Sequence, residues 1–202
     1  MKERPILFSG AMVRAILDGR KTQTRRVCKG VVFDTEFAKE CGAFLATKKG
    51  AWICDTESTA MLEHCPYGQP GDRLWLRETW AHETDFGTET GGFMYRASYT
   101  NGGPADNVKK WRPSIFMPRQ ASRITLELTG VRVERVQDIS GSDAAQEGVN
   151  GLTIDGKEYV PQCANDNRLG FMQLWDGINA ERGYGWSANP WVWAITFRRV
   201  NQ

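Results

Sequence analysis

The chain has 202 residues, 41% of them hydrophobic, and its 26 lysines and arginines nearly balance 24 aspartates and glutamates at a formal net charge of +2. That suits one domain with a real core and excludes a bulk polycation, so any anion-binding surface must be local. Five cysteines without regular spacing describe no disulfide framework. The start, Met1-Lys-Glu-Arg-Pro, lacks a signal-type apolar run, and no stretch approaches the ~20 apolar residues that span a bilayer, so a cytoplasmic protein without membrane contact is expected.

Ile6-Leu7-Phe8 reads as a buried first strand. Ser9 then caps a helix on which Met12 and Ile16, and likewise Val13 and Leu17, share a face. Gly19 suits the left-handed residue that ends a helix, so Lys21-Thr22-Gln23-Thr24-Arg25-Arg26 leaves from a fixed point. Four cations between Arg20 and Arg26 repel one another. An anionic partner, a lysine tuned for chemistry, or a plain solvated turn each accounts for them.

Residues 29–63 read as an insertion beside the core, with a hairpin of Ala43–Thr47 and Ala51–Cys54. Cys54, His64 and Cys65, with Cys28 or Cys41, lack the paired C-x-x-C knuckles of a zinc site. No metal and no cofactor is expected. Pro70-Gly71-Asp72 is a turn before a strand that puts Leu74 and Leu76 on one face and Trp75 and Arg77 on the other, with Arg77 and Glu78 pointing oppositely. Residues 81–92 read as a loop, Phe93–Tyr99 as a strand, and 111–119, with two prolines, as an ordered extended segment.

Arg123–Val136 is the clearest strand. Its alternation changes phase at Gly130, which predicts a bulge or bend. Ser140 to Asp143 resembles a capping box opening a short helix, Ser142–Glu147, closed by Gly148. Glu147 sits at the negative end of that helix, against local preference. A small hairpin around Asp155-Gly156 follows. A helix from about Asn167 then places Phe171, Leu174, Trp175 and Ile178 on one stripe, and a last strand alternates Trp191, Trp193, Ile195 and Phe197. Eight tryptophans are mostly core, with one or two expected to stack on a base or sugar. Strands dominate, two or three helices decorate them, and a small β-barrel is the expected closure of this α+β chain.

Gly19-x-Lys21-x-x-x-x-Arg26 after a strand–helix start resembles the signature of the ASCH domain family, relatives of the PUA RNA-binding barrel. Pro70-Gly71-Asp72 before a strand and Ile139-Ser140…Asp143-Ala144…Glu147-Gly148 resemble it too. Cys65 to Trp80 and Asn189-Pro-Trp-Val-Trp193 look like a phage- and prophage-encoded branch. The resemblance spans roughly the whole chain except 29–63 and parts of 81–110. It implies a single PUA-like domain over 1–202, with a Lys-lined cleft that takes a nucleoside, nucleotide or RNA base. One branch of small members hydrolyses the acetyl amide of N4-acetylcytidine with a lysine, a threonine three residues later and a glutamate in the helix after the central strands, here Lys21, Thr24 and Glu147. Other members carry a glutamate where this chain has Thr24, and other ASCH proteins are thought to bind or cleave RNA. This chain is longer than those small enzymes, and its insertions would cover or reshape the cleft.

An amide hydrolase without a metal needs a nucleophile, a proton carrier and an oxyanion stabiliser. A lysine with an ordinary pKa near ~10.4 must first lose a proton to attack a carbonyl. Arg20, Arg25 and Arg26 would lower that pKa by repulsion, Glu147 would accept the proton, and Thr24 would hold the carbonyl oxygen or orient the lysine. A non-catalytic module, or a ribonuclease, uses the same groups differently. Lys21, Arg20, Arg25 and Arg26 then meet phosphate, Thr24 and Glu147 read a base edge, Trp80 or Trp111 stacks, and Thr22, Arg77 and Glu78 are further binding candidates. In the blandest case the cations form a solvated turn, with Arg26 paired to Asp72 or Glu78.

Overall fold

In a computed structural model, residues 1–29, 44–46, 52–54, 64–85, 88–99, 108, 110–149, 152–154, 157–159 and 164–200 are described. Strand β1 (Glu3–Leu7) buries Ile6 and leaves Leu7 outside. Helix α1 (Gly10–Leu17) begins where the Ser9 hydroxyl accepts from the Met12 N–H and ends at Gly19, whose φ of 75° is the left-handed value expected of it. Strand β2 (Gln23–Val27) follows after three residues.

Strands β3 (Phe44–Ala46) and β4 (Trp52–Cys54) pair antiparallel, the hairpin expected inside the insertion. Strand β5 (Arg73–Arg77) leaves the turn at Gly71. The segment read as a loop is instead a hairpin of β6 (Trp80–Asp85) and β7 (Thr88–Tyr95), and 3₁₀ turns replace the strand expected to run on to Tyr99. Among its described side chains only Trp80 and Ala81, adjacent in sequence, are buried, so its polar, glycine-containing sequence shows no alternation. Strand β8 (Thr125–Arg135) is long, as read, and its register against the last strand slips between Thr196 and Phe197, opposite the Leu128–Gly130 step. The phase shift at Gly130 is therefore a bulge.

Helix α2 (Gly141–Gln146) starts with the Ser140 hydroxyl accepting from the Asp143 N–H, one residue earlier than expected, and Glu147 is its C-cap. Strands β9 (Leu152–Ile154) and β10 (Lys157–Tyr159) form the small hairpin. On helix α3 (Ala164–Asn179) Phe171 and Trp175 are buried, whereas Leu174 and Ile178 are partly exposed, so the expected apolar stripe is narrower. Strand β11 (Trp191–Val200) closes the order. No helix among the described residues is long and apolar enough to cross a membrane.

The main sheet runs β1-β5-β8-β11-β2, with β1 and β5 parallel and the other neighbours antiparallel. Its inner face, with α1, packs Ile6, Phe8, Val13, Leu76, Leu126, Trp193 and Ile195 into the larger core. On the other face of β11, Val192 joins Phe171 and Trp175 of α3 and Ala144 of α2 in a second core. The α+β class is as read, but the sheet does not close into a barrel, since among the described residues no ladder joins its edges β1 and β2. A side chain spans the seam: Arg26 Nη2 donates to the Leu7 carbonyl at 2.6 Å.

Candidate functional site

The turn after α1 sets Lys21. The backbone N–H groups of Arg20 and Lys21 both donate to the Ala15 carbonyl at 2.9 Å, and that of Thr22 donates to the Gln146 carbonyl at 2.8 Å. This ties the start of β2 to the end of α2. Gly148, just beyond α2, has φ 82°, and a Cβ there would lie 2.9 Å from the Cβ atoms of Ala15 and Lys21. Only glycine permits this approach, which brings Glu147 against Lys21.

Lys21 Nζ donates to Glu147 Oε2 at 2.7 Å, to the Glu147 carbonyl at 2.8 Å and to the Gln23 carbonyl at 2.7 Å. Its three N–H bonds are thus all used. The lysine side chain is 0% exposed and that of Glu147 is 3% exposed. The Phe8 ring lies 5.6 Å from Nζ. Burial lowers the Lys21 pKa, against the opposing pull of Glu147, with Arg26 and Arg25 adding repulsion. Two residues 126 apart in sequence have become one buried ion pair.

Arg25 holds the other Glu147 oxygen. Its Nη1 reaches Oε1 at 3.2 Å, its Nη2 reaches Asp143 Oδ2 at 3.2 Å, and Nε and Nη2 grip Glu134 Oε1 at 2.7 and 2.6 Å. Arg132 closes the ring through Glu134 at 2.7 Å and Asp143 at 2.8 Å. Gln23 adds bonds to Asp143 Oδ1 and Gln146 Oε1 at 2.9 and 3.0 Å. Burial raises the Asp143 pKa, but the Gln23 hydrogen bond and the charges of Arg132 and Arg25 outweigh it and hold the carboxyl below its usual range. Three cations (Lys21, Arg25, Arg132) thus face three anions (Glu134, Asp143, Glu147).

Arg25, expected to meet a ligand, is instead consumed by this network with a side chain 0% exposed. Its register explains why. Gln23 and Arg25 lie on the face of β2 that Ala194 and Val192 of β11 share, toward α2 and α3, and the Arg25 guanidinium sits 5.8 Å from the Phe171 ring. Thr24 and Arg26 lie on the opposite face, paired with Ile195 and Trp193. Thr24 is buried, and its hydroxyl takes no part in the Lys21–Glu147 bonds. Arg26 lies 5.1 Å from the same Phe8 ring as Lys21. Its guanidinium pairs with neither Asp72 nor Glu78, makes no ion pair among the described residues, and has a buried Nε without a partner. Burial lowers its pKa, opposed by Tyr67 and Glu147. It is the uncompensated charge beside the pair.

The remaining candidates lie outside this network. Arg20 is exposed and pairs with Asp18 at 2.9 Å. The Thr22 hydroxyl reaches Gln146 Oε1 at 3.4 Å. Glu78 is 1% exposed and held in a fork by Arg123 at 2.9 and 3.0 Å. Trp80 is buried between Arg112, His82 and Phe93 and offers no open stacking face, whereas Trp111 is half-buried and packs with Tyr99 and Arg96. Arg77 lies on the outer face of β5 beside Trp75 and bonds the Ile115 carbonyl. Sequence reading missed Gln23, Asp143, Glu134 and Arg132. Polar or charged residues two apart on strands, 23/25 and 132/134, were the available signal. Cys28 and Cys65 are buried free thiols, with the Cys28 pKa pushed up by burial. Among the described residues no three metal-ligating side chains cluster, and Cys41 lies outside them.

No family model and no curated protein matches this chain. Solved structures that resemble it include an Enterococcus faecalis V583 protein assigned to DUF984, at 10% identity and a TM-score of 0.42, covering 99% of this chain and 80% of that one. Another is an ASCH domain from Lactobacillus crispatus JV V101, at 13% identity and a TM-score of 0.38, covering 100% of this chain and 81% of that one.

Proposed function

We propose that this is an ASCH-like protein of one domain that takes a nucleoside, nucleotide or RNA base at Lys21 and Glu147, and hydrolyses the acetyl amide of N4-acetylcytidine-type substrates. The observation that carries the reading is the buried 2.7 Å contact between Lys21 Nζ and Glu147 Oε2. A lysine whose charged form is disfavoured by burial, held against a carboxylate, is a nucleophile with its base in place. Lys21 passes a proton to Glu147 and its amine forms a bond to the acetyl carbon. Glu147 returns the proton to the leaving N4 nitrogen as the C–N4 bond breaks and then takes the surplus proton from the acylated Nζ. Water adds to the acetyl carbon, the C–Nζ bond breaks, and acetate leaves as the amine regains a proton. Arg26, the unpaired cation over the same Phe8 ring, supplies positive charge for the oxyanion or a substrate phosphate. Because Lys21 has no exposed side-chain surface, substrate entry requires that its covering residues move.

That full burial also favours a second reading, in which Lys21–Glu147 is a structural clamp and the protein binds a base or RNA without catalysis. Acetate release from N4-acetylcytidine as nucleoside, nucleotide and oligonucleotide separates the two. The hydrolase reading expects turnover by the wild type and none by Lys21→Met, with the folded state of the variant checked by circular dichroism. Absence of wild-type turnover on all three forms overturns it.

A further inference from the structure

The outer face of β1 and β5 is unlike the two packed cores. Leu7 is 41% exposed and stands in register with Arg77, so both project from the same face, next to Trp75. Arg77 lies 5.4 Å from the Trp75 ring and bonds the carbonyl of Ile115, which brings the 111–119 segment over this face. Two 3₁₀ turns between Pro113 and Ala121 hold that segment, and Arg119 anchors its far end to Glu3 at 3.0 Å. At its crest Ile115 is 54% and Phe116 66% exposed. Rigid, prolines at both ends, and apolar at its tip, the loop presents a ring to solvent instead of burying it.

Charge narrows what covers this patch. Neither Arg77 nor Arg26 makes an ion pair with a carboxylate among the described residues, and each has a buried Nε without a partner. Arg26 grips the carbonyl of the same Leu7 that Arg77 flanks. The unneutralised Arg77 guanidinium on an apolar step, with an exposed phenyl ring on the segment it holds, matches a ligand that alternates anions with flat rings. We propose that this face binds single-stranded nucleic acid, with Phe116 stacking a base and Arg77 contacting the adjoining phosphate. A duplex hides its base faces and fits the ring poorly. An apolar protein partner would leave Arg77 unpaired. The binding itself does not depend on any chemistry at Lys21.

The test is fluorescence anisotropy with labelled single-stranded RNA and DNA oligonucleotides, and the matching duplex, over a salt series. Phe116→Ala is expected to weaken single-strand binding by roughly five- to a hundred-fold, the range for removing one stacking ring, with little effect on the duplex. Arg77→Gln is expected to flatten the slope of log affinity against log salt by about 0.7, one phosphate contact on a single strand. Because Phe116 is exposed, its variant keeps the fold, and acetate release from the free nucleoside, if present, is unchanged by it. Wild-type binding that is absent or salt-independent overturns the proposal. So does equal loss on single strand and duplex, or a self-association abolished by Phe116→Ala without any oligonucleotide binding. Loss of nucleoside turnover alone bears on Lys21 and leaves this face untouched.

Discussion

Replacing Glu147 by glutamine tests how the Lys21 pair is held. The lysine keeps its bonds to the carbonyls of Gln23 and Glu147 but loses the carboxylate at 2.7 Å, inside a site where its side chain is 0% exposed. Breaking a buried pair from one side costs about 3–5 kcal/mol, because one charge stays buried without its partner. At roughly 2–4 °C per kcal/mol for a chain of this size, the expected fall in Tm is about 6–20 °C. Lys21→Met alone leaves Glu147 with Arg25 at 3.2 Å as its remaining ionic partner and is expected to be destabilising as well. The double variant Lys21→Met, Glu147→Gln removes both charges and should recover much of the loss. Urea denaturation of all four proteins gives the coupling energy. The sign of the pH dependence is a second readout. Burial lowers the folded-state pKa of Lys21 below its unfolded value, so the unfolded chain binds more protons and stability rises as pH climbs through the folded pKa toward the unfolded one. In Glu147→Gln the Glu147 attraction is gone and that rise starts at lower pH. A single-variant cost below about 1 kcal/mol, or strictly additive singles, would refute the buried ion pair.

Gly148→Ala places a Cβ 2.9 Å from those of Ala15 and Lys21 at φ 82°. Left-handed strain and overpacking together predict a loss of about 2–5 kcal/mol by denaturation, and a loss near zero would mean the close approach is not needed. Asp143 has a carboxyl held below its unfolded pKa, so its stabilisation is full above about pH 4 and fades as pH falls through the folded value. Asp143→Asn should be less stable than wild type at neutral pH and show a shallower acid limb in a Tm–pH series. Parallel acid limbs would count against the Arg25–Asp143–Arg132 contacts.

Local signals were legible wherever one residue's own backbone decided the outcome. Gly19 ended α1, Ser140 capped α2, Gly130 marked the bulge, and the hairpin reading held for the strand pairs β3–β4 and β9–β10. The β6–β7 ribbon was illegible, since a two-stranded ribbon with little burial needs no hydrophobic alternation. Leu174 and Ile178 look like core by spacing, yet only Phe171 and Trp175 reach the second core. The candidate site was legible in part. Lys21 and Glu147 could be named together from the resemblance to a known motif, but neither residue's surroundings could.

What the sequence alone determined is the location of the basic turn, the strand and helix order around it, and the types of residue brought to the site. What tertiary structure decided is the fate of each charge. Adjacent residues on β2 point to opposite faces, so Arg25 met Glu134, Asp143 and Glu147 while Arg26 met the Phe8 ring and the Leu7 carbonyl. A strand's alternation is written in the chain. Which face finds carboxylates depends on β8 and α2, residues more than 100 positions away, and on an open seam that a side chain spans where a ladder would have closed a barrel.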